Sequence, residues 1–178
     1  MVRTGGTEPE LAPLWLDLAG RRVTLVGGGR VAARRAAGFL ADGARVLVIA
    51  PELAPELVEL VERGLVRWVE RPYRGSADLE GAWLVHAATG DLDVDLAVAD
   101  DAEDRQTFCI VASRSALGTA AVPARTATTT STGTVQVAVH GGGDPRRSVA
   151  VRDAVATMLC TGGVDLSPRR TPASRHVA

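Results

Sequence analysis

The chain contains no lysine: all 20 of its basic side chains are arginine. That absence excludes Schiff-base catalysis by a lysine amine and the phosphate-binding lysine of a Walker A loop. Cysteine is almost as scarce. Cys109 and Cys160 stand alone, in TFCIV and TMLC, with no CxxC pair, and the expectation is two buried free thiols. Three histidines and two isolated cysteines give no clustered metal-ligand pattern, so no metal site is expected. Charge of one sign is not in excess either. A net charge of -1 leaves no argument for a nucleic-acid or membrane-surface partner. No apolar run is long enough to span a membrane, and the opening MVRTGGTEPELAP lacks the apolar core of a signal peptide. A cytoplasmic protein is the expectation.

What is present is patterned. Residues 22–26 form a short, apolar, β-branched run that ends in Gly27-Gly28-Gly29, as a buried parallel strand would. Residues 31–41 are rich in Ala, Arg and Leu, with Asp42-Gly43 as a helix stop. Strands are expected at 45–49, 66–69, 82–88 and 107–112, and helices at 53–63 and 92–104. This alternation predicts an α/β protein: a Rossmann-type parallel sheet with helices on both faces. From about Ala116 the character changes. Residues 124–133 are almost purely small and hydroxylic, 134–139 alternate as an antiparallel or edge strand does, and 149–159 read as an amphipathic helix. The expected organisation is a nucleotide-binding domain at 11–115, a small α+β segment at 116–160 and a tail or linker at 161–178.

The strand–Gly-Gly-Gly–helix junction carries the chemistry. Gly27, Gly29 and Ala32 fill the three positions of GxGxx(G/A), where the first allows the tight turn and the second admits the pyrophosphate. The small third residue packs helix on strand. The helix N-terminus then offers free N–H groups and partial positive charge to phosphate. An acid near the end of the second strand would bind the ribose hydroxyls and favour NAD over NADP. Glu52 is the candidate there, and it reads equally as a first-turn acid of the following helix. Arg30, directly after the glycines, could accommodate an extra phosphate. Thr89 and Asp91, where the fourth strand ends, could face the nicotinamide half, though Asp91 could equally cap the next helix. His86, in mid-strand, reads as a core histidine. His140, at a strand end before three glycines, is a candidate to reach the crevice.

With these motifs in place the chain resembles the precorrin-2 dehydrogenase family, the N-terminal module of siroheme synthases, some members of which are also sirohydrochlorin ferrochelatases. The matching strings are LWLDLAGR from Leu14, VGGGRVAARR from Val26, GARVLVIAPEL from Gly43, Arg71-Pro72-Tyr73, GAWLVHAATGD from Gly81, Phe108-Cys109, and DPRRS from Asp144. The resemblance implies NAD-dependent oxidation of precorrin-2 to sirohydrochlorin. It also implies a Rossmann domain followed by a segment whose strands intertwine with a partner in a homodimer. Its cofactor contacts map onto Gly27, Gly28, Gly29, Arg30, Val31, Pro51 and Glu52. In such modules a tetrapyrrole methyltransferase domain often follows, and Arg175-His176-Val177-Ala178 reads as the opening of its first strand.

Two stretches depart: the family's small-Ser-Gly-Gly run is His140-Gly141-Gly142 here, and one further position is changed. Aligned on Phe108-Cys109, the family's strings such as FCNVVD carry an aspartate credited with proton or metal handling where this chain has Ser113. A serine supplies no charge and is no base near neutral pH without help. The candidates for the catalytic role are therefore Ser113 itself, His140 and Asp91, and Ser113→Asp is expected to raise turnover. A cofactor-binding module that has lost catalysis and serves a methyltransferase as a dimeric scaffold is the alternative reading. An NADP-linked reductase of another substrate is a third.

Overall fold

The computed structural model describes residues 11–131 and 133–167, in two compact units that divide after Val122. In the first unit the elements are β1 (Arg22–Val26), α1 (Arg30–Ala41), β2 (Arg45–Ala50), α2 (Pro55–Glu62), β3 (Val66–Glu70), β4 (Leu84–Ala87), α3 (Leu92–Asp104) and β5 (Phe108–Val111). The five strands form one sheet in the order β3-β2-β1-β4-β5. Every pairing is parallel, with Val23 of β1 opposite Val46 of β2 and Leu84 of β4. The chain winds outward from β1 to β3, then returns to the other side of β1 for β4 and β5. That reversal opens a crevice beyond the carboxyl ends of β1 and β4, where ligands of such sheets sit.

Both faces of the sheet are covered, which is why its strands are apolar at successive positions. On one face Ala32, Ala33, Ala36 and Phe39 of α1 and Leu57 of α2 pack on Val23, Leu25, Val46 and Val48. On the other, Val98, Ala99 and Ala102 of α3 pack on Val85, Ala87, Cys109 and Val111. The α1 contact is made almost entirely of alanines, so the helix can lie close to the strands that end in the glycine turn.

The expected boundary near Ser115 falls seven residues early. The N–H groups of Thr119 and Ala120 both donate to the Cys109 carbonyl, at 2.8 and 3.0 Å, and the Cys109 N–H donates to Thr119 Oγ1 at 2.9 Å. Ala120 and Val122 pack against the core of the first unit. These backbone bonds tie the segment to β5, so the division comes at Pro123.

The second unit is an antiparallel pair, β6 (Ala124–Thr130) and β7 (Gly133–Val139), followed by α4 (Pro145–Cys160). The hydroxylic run at 124–133, in which no element was expected, supplies β6. Its threonines are β-branched, and their burial alternates along the strand, so this composition suits a pleated, half-buried ribbon. Helix α4 begins four residues earlier than its apolar pattern suggests, because Asp144 caps it and Pro145 opens it. The Asp144 carboxylate accepts the N–H groups of Arg146 and Arg147 at 2.8 and 3.1 Å. Cys160 corrects an expectation: it is exposed. It follows Leu159, the buried residue of this helix end, and successive helical residues point about 100° apart. No helix among the described residues is long and apolar enough to cross a membrane. The expected tail lies outside the described residues from Pro168 onward, as does the string that begins at Arg175.

Candidate active site

The three glycines have three different tasks. Gly27 adopts a φ of +114° and donates its N–H to the Ile49 carbonyl at 2.9 Å. A Cβ there would run into the Ala88 carbonyl. At Gly28 a Cβ would strike the Glu52 carbonyl oxygen, because Gly28 also accepts the Ala54 N–H at 2.7 Å and holds the loop after β2 against the turn. Gly29 is different. Nothing lies within 4 Å of the position its Cβ would take, so the fold makes no use of the missing side chain. That empty space lies at the N-cap of α1, where the first-turn N–H groups of Arg30, Val31 and Ala32 have no helical partners.

A cavity of about 490 Å³ opens on this turn. Its wall includes Gly27, Gly28, Gly29, Arg30, Pro51, Glu52 and Thr89, with Tyr73 and Val94. The size suits a cofactor cleft, and an anion at the N-terminus of α1 would meet backbone N–H groups and the positive end of the helix. The residues present therefore fit a dinucleotide pyrophosphate. Val31 is the exception among the expected contacts: its exposed side chain is not part of the wall, and only its backbone is available. Glu52 lies in the wall and precedes the Ala54 cap of α2, whose first-turn acid is Glu56. Its reading as a first-turn acid of α2 is thereby removed. Arg30 faces Glu56 at 3.9 Å across exposed surface, a separation that contributes little.

Tyr73, which the sequence brought forward only as part of a matching string, completes the wall. Its hydroxyl donates to Asp101 at 2.7 Å, and burial together with that carboxylate holds the phenol well above its ordinary range. The loop that carries it is fixed by a two-pronged Arg71–Asp78 pair at 2.6 and 2.9 Å. Each group favours the charged form of the other: the Asp78 carboxyl lies below its usual value, chiefly through its hydrogen bond with Arg71.

At the ends of β4 and β5 the expected residues are brought together by one that was not expected. Asp91 caps α3, with Oδ1 accepting the N–H groups of Asp93 and Val94 at 3.0 and 3.4 Å. Of its two readings the cap is the one realised. Thr89 and Ser113 meet instead on Asp95, which is 1% exposed. Asp95 Oδ1 accepts both the Thr89 hydroxyl at 2.7 Å and the Thr89 N–H at 3.1 Å, and Oδ2 accepts the Ser113 hydroxyl at 2.9 Å. The signal for Asp95 was available: it shares the buried face of α3 with Val98, Ala99 and Ala102, at helical spacings i+3, i+4 and i+7.

His86 is a core residue, as expected. It is 1% exposed, its ring meets Phe39 edge-on, and burial pushes its pKa down to about 4, so it is neutral near pH 7. His140 is exposed, directly after β7 in the second unit. No group of three or more His, Cys, Asp or Glu among the described residues is arranged to hold a metal ion.

A parallel sheet in the order β3-β2-β1-β4-β5, with an open glycine turn at the crossover strand, defines a Rossmann-type dinucleotide-binding protein. Residues 14–124 match the family described as "Putative NAD(P)-binding", NAD_binding_7, and the chain belongs to that family. Among curated proteins it is 50% identical over 96 residues to the siroheme synthase of Chromobacterium violaceum, a match covering 54% of this chain and 20% of that one. It is 32% identical over 154 residues to the siroheme synthase of Xylella fastidiosa, covering 86% and 32% respectively. The chain thus spans a fifth to a third of the length of these relatives. Among solved structures, "SirC, precorrin-2 dehydrogenase" superposes with a TM-score of 0.70 at 28% identity, over 83% of this chain and 70% of that one. The resemblance read from the motifs is borne out.

Proposed function

We propose that this chain is an NAD-dependent dehydrogenase that oxidises precorrin-2 to sirohydrochlorin in siroheme biosynthesis. The observation that carries the reading is the open cradle at Gly29, in a chain that is 28% identical to SirC over 83% of its length. The first-turn N–H groups of α1 would hold the pyrophosphate, and Glu52, in the same wall, would take the ribose hydroxyls and favour NAD over NADP. Thr89 and Val94 would form the wall on the nicotinamide side. The bound cofactor supplies hydride acceptance. The protein's own tasks are to orient the tetrapyrrole over this cavity and to take a proton from it.

The partner is a second copy of the chain. In the second unit only Leu159 is buried among the described residues, while Val149, Val151 and Met158 of α4 are 43%, 44% and 49% exposed. A ribbon and one helix with so little core are not self-sufficient, and a symmetry-related copy would complete them. The cytoplasm is the site of action proposed with this reading. The test is anaerobic turnover of precorrin-2 with NAD, followed by sirohydrochlorin absorbance. Conversion that requires NAD supports the reading. Bound NAD without conversion in the intact chain overturns it.

A further inference from the structure

Asp95 is a carboxylate where the fold asks for an apolar side chain. It occupies the same face of α3 as Val98, Ala99 and Ala102 and is as buried as they are. A buried charge is costly unless it is paired. Yet the groups holding Asp95 are all uncharged: two from Thr89 and one from Ser113. The nearby imidazole of His86 is kept neutral by burial and offers no counter-charge near pH 7. The arrangement has one further property. Thr89 lines the cofactor cavity and Ser113 is exposed just beyond β5. The buried carboxylate therefore lies directly beneath two hydroxyls at the carboxyl ends of adjacent strands, β4 and β5.

We propose that Asp95, acting through Ser113, supplies the charge for proton removal in the dehydrogenation. The assignment rests on the dehydrogenase reading above. The Ser113 hydroxyl donates its hydrogen to Asp95 Oδ2, which leaves the oxygen's lone pairs free to face outward. Dehydrogenation takes a hydride and a proton from the tetrapyrrole, and NAD is the oxidant that accepts the hydride. The proton passes to Ser113 Oγ while the hydroxyl's own proton passes to Asp95 Oδ2. Serine ends neutral, Asp95 ends as a carboxylic acid, and the reverse transfer to water resets both. Ser113 is the catalytic residue, and Asp95 is the positioning and charge-supplying residue behind it. The carboxylate lies one hydrogen bond below the surface position 113, and Thr89 fixes its orientation through Oδ1.

The test compares wild type, Asp95→Asn, Ser113→Ala and the double variant Asp95→Asn/Ser113→Asp, which moves the carboxylate to the surface position. Asparagine has the same shape and still accepts from Thr89, so NAD affinity by calorimetry should stay within about twofold. Turnover should fall on the order of 10²–10³-fold in Asp95→Asn, and the double variant should recover most of the loss. A second readout needs no turnover. In isotope-edited infrared spectra the carboxylate band lost in Asp95→Asn should be shifted by Ser113→Ala in the resting protein. Wild type that turns over precorrin-2, with Asp95→Asn within threefold of it or a band indifferent to Ser113→Ala, overturns the assignment to Asp95 alone. Wild type that binds NAD and fails to oxidise precorrin-2 overturns the dehydrogenase reading and the assigned step together.

Discussion

The carbonyl oxygen of Glu52 occupies the space that a side chain on Gly28 would need. The second glycine of the turn is thus required by the fold, and so is Gly27, whose Cβ would meet the Ala88 carbonyl at a φ of +114°. Gly29 has open space in front of it. Two substitutions in one tripeptide should therefore fail in different ways. Gly28→Val should lose several °C of Tm or not fold, because the 51–54 loop must move. Gly29→Val should melt within a few °C of wild type, since valine at an N-cap costs on the order of 1 kcal/mol, and should lose NAD binding by calorimetry. A stable Gly29→Val that keeps its NAD affinity would remove the cofactor site from this turn.

His86 gives the fold a pH dependence of known sign. Its folded-state pKa is pushed down to about 4 from an ordinary value of 6.5 by burial. Between these values the unfolded chain binds the extra proton and the native state does not. The stabilisation is fully present above about pH 6.5 and is lost as pH falls toward 4, by about 3 kcal/mol in all. Urea unfolding of wild type and His86→Leu at pH 7 and pH 4.5 should show the smaller pH effect in the variant. Equal pH effects in the two proteins would mean the imidazole is not the group responsible.

The two thiols should separate cleanly. Cys109 is buried, and burial pushes its pKa up to about 12, so little thiolate is available to react. Cys160 is exposed. A thiol-specific alkylating reagent at pH 8 should label one cysteine in the native protein, identified as Cys160 by peptide mapping, and both in denaturant. Native labelling of Cys109 would contradict its buried place in β5.

These contrasts show what a single sequence can and cannot reveal. β1 and its turn were legible because the run at 22–26 is apolar on both faces and ends in glycine, a combination few other structures demand. Strand β6 was not legible, because a run of Thr and Ala carries no hydrophobic alternation even where its burial alternates. Glu52 and Asp91 each had two readings, and only the capping geometry of α2 and α3 decided between them. Asp95 stood out from the neighbouring acids Asp91 and Asp93 only by its helical spacing to Val98, Ala99 and Ala102. Its position also changes an expectation. Ser113→Asp alone would set two carboxylates within hydrogen-bonding range, where both cannot readily ionise. The single variant should therefore be slower than wild type at neutral pH rather than faster.

The second unit should join two chains. With one buried hydrophobic residue among its described positions and three large apolar side chains of α4 exposed, it is expected to associate. Sedimentation at tens of micromolar should give twice the chain mass, and a clean monomer at that concentration would contradict the assembly.

The measurement that bears most directly on the whole account is anaerobic oxidation of precorrin-2 by the intact chain with NAD, recorded against Asp95→Asn in the same buffer. The account predicts NAD-dependent appearance of sirohydrochlorin with wild type and a rate on the order of a hundredfold lower, at unchanged NAD affinity, with the variant. Wild-type protein that binds NAD and yields no sirohydrochlorin would contradict it.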